Sequence, residues 1–293
     1  MPAPEPRDGL RAGEVRVARV RSPTLETGRA DANEAVVFVH GNPGSSRDWR
    51  DLLPRVGPFA RAVALDMPGF GQADKSAAFE YSVAGYARHL DGALNGLGVR
   101  RAHLVLHDFG GPWGLAWAAA NPDRFGSAVL INTGVLLGYR WHTLARLWQT
   151  PVVGELVQAL STRAGFRRAM EKSNPSGLPA AFVDGMYDDY DRATRRAVLR
   201  LYRATANPSD SATRLADAIR PLARPALVVW GAKDPFIPVE QAERQRETFP
   251  GAEVVVLPES GHWPFADNPE GVAAAAIPFL RSVVGIGATD SVG

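Results

Sequence analysis

Leu104-Val-Leu-His-Asp-Phe-Gly-Gly111 is the stretch on which the reading of this chain turns. With His103 before it, His103-Leu-Val-Leu-His107 is apolar enough to read as a strand covered on both faces, as buried parallel strands are. Asp108 then falls at a sharp turn, and Gly110-Gly111 open a helical segment over Pro112 to Ala120. Glycines at that point tolerate a strained turn and let the helix approach the strand closely. The pattern therefore places a carboxylate at a strand-to-helix turn. Taken alone, it also fits an ordinary structural turn.

Outward from this stretch, the same grammar repeats. Ala35-Val-Val-Phe-Val39 ends at the turn His40-Gly-Asn-Pro43, and Arg61-Ala-Val-Ala-Leu-Asp66 stops before Pro68-Gly69. Ser127-Ala-Val-Leu-Ile131 ends at Asn132, and Ala226-Leu-Val-Val-Trp230 and Glu253-Val-Val-Val-Leu257 follow much later. Helix-length amphipathic segments, such as Ser82 to Leu97 and Pro238 to Thr248, lie between them. Strands alternating with helices predict an α/β domain with an open, doubly wound, mostly parallel sheet, whose ligands sit beyond the carboxyl ends of the strands. From Thr133 to Arg220 there is no strand pattern, only helical ones such as Arg140 to Gln149 and Asp191 to Ala206. That interval is too long for a loop. The expected organisation is a core formed by residues 1–132 and 221–293, with a helical cap, 133–220, inserted over the strand ends.

Composition narrows the function. The 293 residues include no cysteine, which excludes disulfides, thiolate catalysis and thiolate metal sites. Net charge is +2, and the arginine pairs Arg100-Arg101 and Arg195-Arg196 have acids nearby, with Asp188, Asp189 and Asp191 preceding the second pair. Such interleaving solvates a face, and a nucleic-acid surface is not expected. Met1-Pro-Ala-Pro-Glu-Pro-Arg-Asp8 has no apolar core of a secretory signal. The most apolar long stretch, Gly271 to Ala288, is interrupted by Pro278 and Arg281 and reads as a terminal helix. A soluble, cytoplasmic protein without membrane contact is expected, in an oligomeric state that the sequence does not specify.

Two further segments carry chemistry. Trp230-Gly-Ala-Lys-Asp234 puts an acid at the tip of a late strand, and Ser260-Gly-His-Trp-Pro264 puts a histidine in the loop after the last one. Asp108, Asp234 and His262 thus stand in the chain order nucleophile, acid, histidine, at strand ends that converge. The turn at His40-Gly-Asn-Pro43 is expected to bring a backbone N–H beside Asp108. Asn42 and Phe109 are the expected donors to an oxyanion, and His40 is expected to bond within its own loop. His103 and His107 share a strand face but have no third ligand, so core roles are expected for them rather than a metal site.

The stretches His40 to Trp49, Leu65 to Lys75, Leu104 to Gly111, Trp230 to Asp234 and Gly261 to Pro264 together resemble the haloalkane dehalogenase and epoxide hydrolase branch of the α/β-hydrolases. The resemblance covers nearly the whole chain outside the cap and both termini. It implies the α/β-hydrolase fold and a two-step reaction without cofactor or metal. Asp108 would displace a leaving group at carbon to give an alkyl-enzyme ester, and water activated by His262 would cleave it. The residue chemistry agrees: a carboxylate attacking sp3 carbon forms a stable ester, a histidine suits the base, and Asp234 would hold its tautomer.

The leaving group is less clearly marked. Asn42 matches the dehalogenases' halide-binding asparagine, Gly-Asn-Pro is their turn, and Leu106 replaces a glycine common in epoxide hydrolases. Against them, Phe109 stands where they carry tryptophan, and its side chain offers no donor; Trp141 or Trp148 of the cap could compensate. Leu201-Tyr-Arg203 resembles the segment holding the epoxide hydrolases' ring-opening tyrosine, with Tyr202 lying 60 residues before His262. Tyr202 could equally be a helix-packing residue, and for a second cap tyrosine only Tyr139 and Tyr187 are candidates. The missing tryptophan places epoxide opening to vicinal diols first and haloalkane dehalogenation second. An esterase or lactonase would normally carry serine at the turn. A non-catalytic binding module would be expected to have lost part of the Asp108–Asp234–His262 set. The substrate expected is a small apolar molecule, with water as co-substrate, Trp141 and Trp148 bordering its pocket.

Overall fold

The computed structural model describes residues 9–285. The N-terminal octapeptide and the end of the expected terminal helix, 286–288, lie outside them. Eight strands form one sheet: β1 (Arg11–Val17), β2 (Val20–Thr27), β3 (Glu34–Val39), β4 (Arg61–Leu65), β5 (Arg101–His107), β6 (Phe125–Ile131), β7 (Ala226–Gly231) and β8 (Glu253–Leu257). Their order is β1-β2-β4-β3-β5-β6-β7-β8. From β4 to β8 every pairing is parallel, whereas β1 and β2 form an antiparallel hairpin on the edge.

The six strands expected from apolar runs are all present. Their central members are buried almost throughout, and β4, β6 and β7 are buried at every position. Each buried Val, Leu or Ile there contributes about 1.5–3 kcal/mol of transfer free energy, which is why the parallel strands carry so little polarity. The hairpin was not apparent as strands. β2 turns Ser22, Thr24 and Thr27 inward along with Val20, and β1 buries only Val15. An edge hairpin with polar inward residues has no apolar alternation to read.

Helices α1 (Leu53–Val56), α2 (Val83–Gly96) and α3 (Gly110–Ala120) precede β6. Ser82 caps α2 by accepting from Gly85 N, the N-cap bond that satisfies a first-turn donor. Between β6 and β7 lie six helices and no strand: α4 (Thr143–Gln149), α5 (Val153–Ala159), α6 (Arg163–Ser173), α7 (Ala180–Asp189), α8 (Arg192–Ala204) and α9 (Pro208–Ile219). The chain closes with α10 (Glu240–Arg244), α11 (Pro264–Asp267) and α12 (Pro269–Val283). The helix expected over Pro238 to Thr248 is shorter, with a 3-10 turn at Gln245–Glu247 completing it. The helical insertion is tied to the core by polar contacts: Arg47 and Gln72 both bond Asp189, and Lys75 Nζ lies 2.8 Å from Asp191 Oδ2. Among the described residues no helix is long and apolar enough to cross a membrane.

Candidate functional site at the carboxyl ends of the strands

Asp108 follows β5 directly and has φ +48°, a left-handed conformation that a non-glycine residue adopts only under constraint. The constraint is packing. A Cβ on Gly110 would stand 2.2 Å from Val39 O, so only glycine lets α3 start against β3. A Cβ on Gly41 would meet the Asp108 side chain at 2.3 Å, so the loop after β3 can close on the carboxylate only without one. Through that approach Asn42 N donates to Asp108 Oδ1 at 2.7 Å. Asp108 Oδ2 faces His262 Nε2 at 3.7 Å.

The other side of the imidazole is fixed more tightly. His262 Nδ1 donates to Asp234 Oδ2 at 2.7 Å. Asp234 Oδ1 accepts from Phe236 N and Ile237 N at 2.7 and 3.1 Å, so both of its oxygens are held. Asn132 supplies a further bond, from Nδ2 to Asp234 Oδ2 at 2.8 Å, while its Oδ1 accepts from Gly231 N at 2.8 Å. Sequence reasoning passed over Asn132 as a strand terminator. It sits fully buried at φ +45°, a backbone region asparagine tolerates, and bridges the tips of β6 and β7.

Burial works against a charged imidazole at His262, but the carboxylates of Asp234 and Asp108 outweigh it and raise the pKa to about 10. Burial likewise disfavours the Asp108 carboxylate, yet His262 and the Asn42 N–H leave it below the ordinary value. The resting site therefore holds an imidazolium between two carboxylates. His107 stays neutral: burial first, then the neighbouring His262, lower it to about 3. Its Nε2 donates to His262 O at 2.8 Å, which positions the histidine loop. His40 bonds Gly41 O through Nδ1 and accepts from Met67 N at Nε2, within its loop and the neighbouring one. His103 bonds Ser127 and Glu34 in the core.

Above the three residues opens a cavity of about 570 Å³, lined largely by apolar side chains and reached by Asn42, Asp108, Phe109, Trp141, Trp148, Tyr202 and His262. The rings of Phe109 and Trp141 stack with centroids 5.7 Å apart, and Tyr202 meets Phe109 edge-on at 5.1 Å. Asn42 Nδ2 donates to the Tyr202 phenol oxygen at 3.4 Å. Burial first, then the negative charge of Asp108, hold the Tyr202 pKa well above its ordinary value, so the phenol keeps its proton. The two tryptophans Trp141 and Trp148 differ. Trp141 Nε1 is spent on Thr205 O at 2.7 Å, whereas Trp148 Nε1 is buried without a partner among the described residues. Tyr139 lines the cavity but donates to Phe236 O at 3.0 Å, and Tyr187, bonded to Ser161 O, is not among the lining residues.

A family profile described as alpha/beta hydrolase fold matches residues 34–269. Over 264 residues, 85% of this chain and 88% of the relative, the sequence is 28% identical to the 2-hydroxy-6-oxononadienedioate/2-hydroxy-6-oxononatrienedioate hydrolase of Burkholderia vietnamiensis. A shorter stretch of 117 residues, 40% of this chain and 37% of the relative, is 38% identical to a haloalkane dehalogenase of Agrobacterium fabrum. The crystal structure of haloalkane dehalogenase DbeA from Bradyrhizobium elkani superposes with a TM-score of 0.81 at 24% identity, covering 94% of this chain and 98% of that one. The profile runs from the first residue of β3 to the start of α12, taking in the strand tips that carry Asp108, Asp234 and His262. By that match and its sheet order, the chain belongs to the alpha/beta hydrolase fold family.

Proposed function

We propose that the protein is a hydrolase acting through an ester on Asp108, and that the bond it opens is the C–O bond of an epoxide. The observation that carries this reading is the Tyr202 phenol, in the same cavity as Asp108, with its oxygen accepting from Asn42 and its proton uncommitted among the described residues. Asp108 Oδ2 attacks a ring carbon while Oδ1 is held by Asn42 N. As the C–O bond breaks, Tyr202 gives its proton to the departing oxygen, and Asn42 Nδ2 steadies the phenolate left behind. With the Asp108 charge gone, His262 releases its resting proton to solvent, then takes a proton from water, and the hydroxide adds to the Asp108 carboxyl carbon. The N–H groups of Asn42 and Phe109 would hold the resulting oxyanion. Collapse frees a vicinal diol and restores the Asp108 carboxylate beside the protonated His262, and the proton that His262 earlier gave to solvent is returned from solvent to Tyr202.

The charge balance of the site favours such a sequence. Esterification of Asp108 removes one of the two negative charges that raise the His262 pKa, so His262 becomes a better general base at the moment one is needed. The segment 133–220 would act as a cap. Its side chains Trp141, Trp148, Phe166 and Tyr202 enclose the cavity and keep bulk water from the ester.

A second reading, haloalkane dehalogenation, has behind it the indole N–H of Trp148, buried without a partner among the described residues, which after a rotation into the cavity would hold a departing halide together with Asn42 Nδ2, in place of a donor at Phe109. The test is turnover of a panel of epoxides and haloalkanes, with diol and halide measured separately. Diol from epoxides without halide release supports the first reading; ready halide release with inert epoxides replaces it by the second.

A further inference from the structure

The cavity contains a second polar group that the reaction above does not use. Gln158 on α5 and Tyr190 at the end of α7 both line it, with relative exposures of 4% and 5%. Gln158 Nε2 donates to the Tyr190 phenol oxygen at 2.9 Å. That bond uses one donor and one acceptor of the pair. Among the described residues nothing accepts the Tyr190 O–H, and nothing donates to Gln158 Oε1. An amide and a phenol together thus present the Tyr190 O–H and the second Gln158 N–H as donors, and Gln158 Oε1 as an acceptor, to a cavity whose other walls include apolar side chains such as Phe166 and Met170.

The pair is held from behind. Arg195 donates to Gln158 O at 2.8 Å, to Ser161 O at 3.0 Å and to Tyr190 O at 3.2 Å, locking the backbone of both residues. Its guanidinium also lies 5.7 Å from the Tyr190 ring centroid. With those donors on main-chain oxygens, Arg195 is committed to positioning, and what faces the cavity is uncharged. Unmatched buried polar groups are costly, and pockets use few of them, to fix orientation.

The geometry points to Gln158 and Tyr190 as a second polar subsite of the cavity that binds a neutral hydroxyl borne by the substrate on a carbon other than the one Asp108 attacks. A hydroxyl is a small neutral group that accepts from Tyr190 and donates to Gln158 at once. This inference rests on the cavity's being the substrate site, as proposed above, and its test is a binding measurement so that the two can fail separately.

The probes are a linear vicinal octanediol and the same diol with an added hydroxyl on the far terminal carbon, titrated calorimetrically into wild type, Tyr190→Phe and Gln158→Leu. In wild type the extra hydroxyl should tighten binding. Each substitution should weaken the triol by roughly fivefold or more, the size of a lost neutral hydrogen bond, and leave the plain diol nearly unchanged. Tyr190→Phe keeps the ring packed on Phe166, so it covers the case in which Gln158→Leu fails to fold. Equal loss for both probes would mean a structural role, and a triol weaker than the diol in wild type would mean an apolar cavity end; either overturns the subsite. Epoxide turnover in the same preparations tests the reaction, and its absence would leave a positive binding result standing.

Discussion

The phenol oxygen of Tyr202 lies 3.4 Å from Asn42 Nδ2, in the accepting direction, so that bond leaves the phenol's own proton free over the cavity. An acid placed there matters only when charge develops on a leaving oxygen. Tyr202→Phe should therefore slow ester formation from epoxides by about 10²-fold or more, the size of a lost general acid, while leaving the hydrolysis of ester intact. Rapid-quench measurement of the two steps checks this, and an unchanged first step would remove Tyr202 from the reaction.

Asp108 is expected to become covalently modified. With His262→Gln, ester should form and persist, because the base for its hydrolysis is gone. Mass spectrometry of the digested protein after incubation with substrate should find the added mass on the peptide containing Asp108. Modification elsewhere, or none in a protein whose wild type turns over, would refute the assignment.

Asn132 holds Asp234, caps Gly231 N and also reaches Gly261 O beside His262 at 3.4 Å, and it acts on the reaction through these contacts. Asn132→Ala should destabilise the fold by about 1–3 kcal/mol, since a buried N–H loses its partner. It should also slow ester hydrolysis roughly tenfold, as loss of supporting bonds to a functional group does, with ester formation little affected. Denaturant unfolding beside single-turnover kinetics separates the effects. A stability loss with both steps intact would make Asn132 purely structural.

Trp148 distinguishes the two leaving groups. Its Nε1 has no partner among the described residues, and its ring packs on Tyr202 at 4.9 Å. Trp148→Phe keeps an aromatic ring and removes only the donor. Epoxide turnover should change by less than about threefold, since no bond in that path uses the indole. A fall of tenfold or more in halide release from haloalkanes, a typical cost of losing a donor to a developing anion, would favour the dehalogenase reading instead.

These residues differ in how visible they were before the fold was known. β3 to β8 could be read as apolar runs because strands covered on both faces carry little else, and Asp108, Asp234 and His262 stood out because each follows such a run. Strands β1 and β2 could not, since Ser22, Thr24 and Thr27 stand with Val20 on the inward side of β2 and β1 buries only Val15. Asn132 was visible as a residue but not as a partner of Asp234, since its bonds cross between strands far apart in sequence. The same holds for Gln158 and Tyr190, and for Trp141 against Trp148. Which indole is spent depends on Thr205 O, a main-chain atom with no signature in the sequence.

The charge on His262 sets the pH dependence. In the free enzyme its pKa is raised to about 10, with burial opposing and Asp234 and Asp108 supporting the charged ring. Ester formation needs the Asp108 carboxylate but no base, so its rate should hold through neutral pH. Ester hydrolysis needs neutral His262, and the pKa governing it should fall below 10, because the ester no longer bears the Asp108 charge. Single-turnover rates against pH should therefore show a hydrolysis limb rising at lower pH than the free-enzyme titration of His262 followed by NMR. The same shift has a consequence for stability. The folded value lies above the ordinary 6.5 of an unfolded chain, so the stabilisation from charged His262 is complete below about pH 6.5 and is lost progressively as pH rises to about 10. The difference in melting temperature between wild type and His262→Gln should shrink across that interval. A difference that stays constant, or a hydrolysis limb coinciding with the free-enzyme titration, would show that the two carboxylates do not control the histidine in this way.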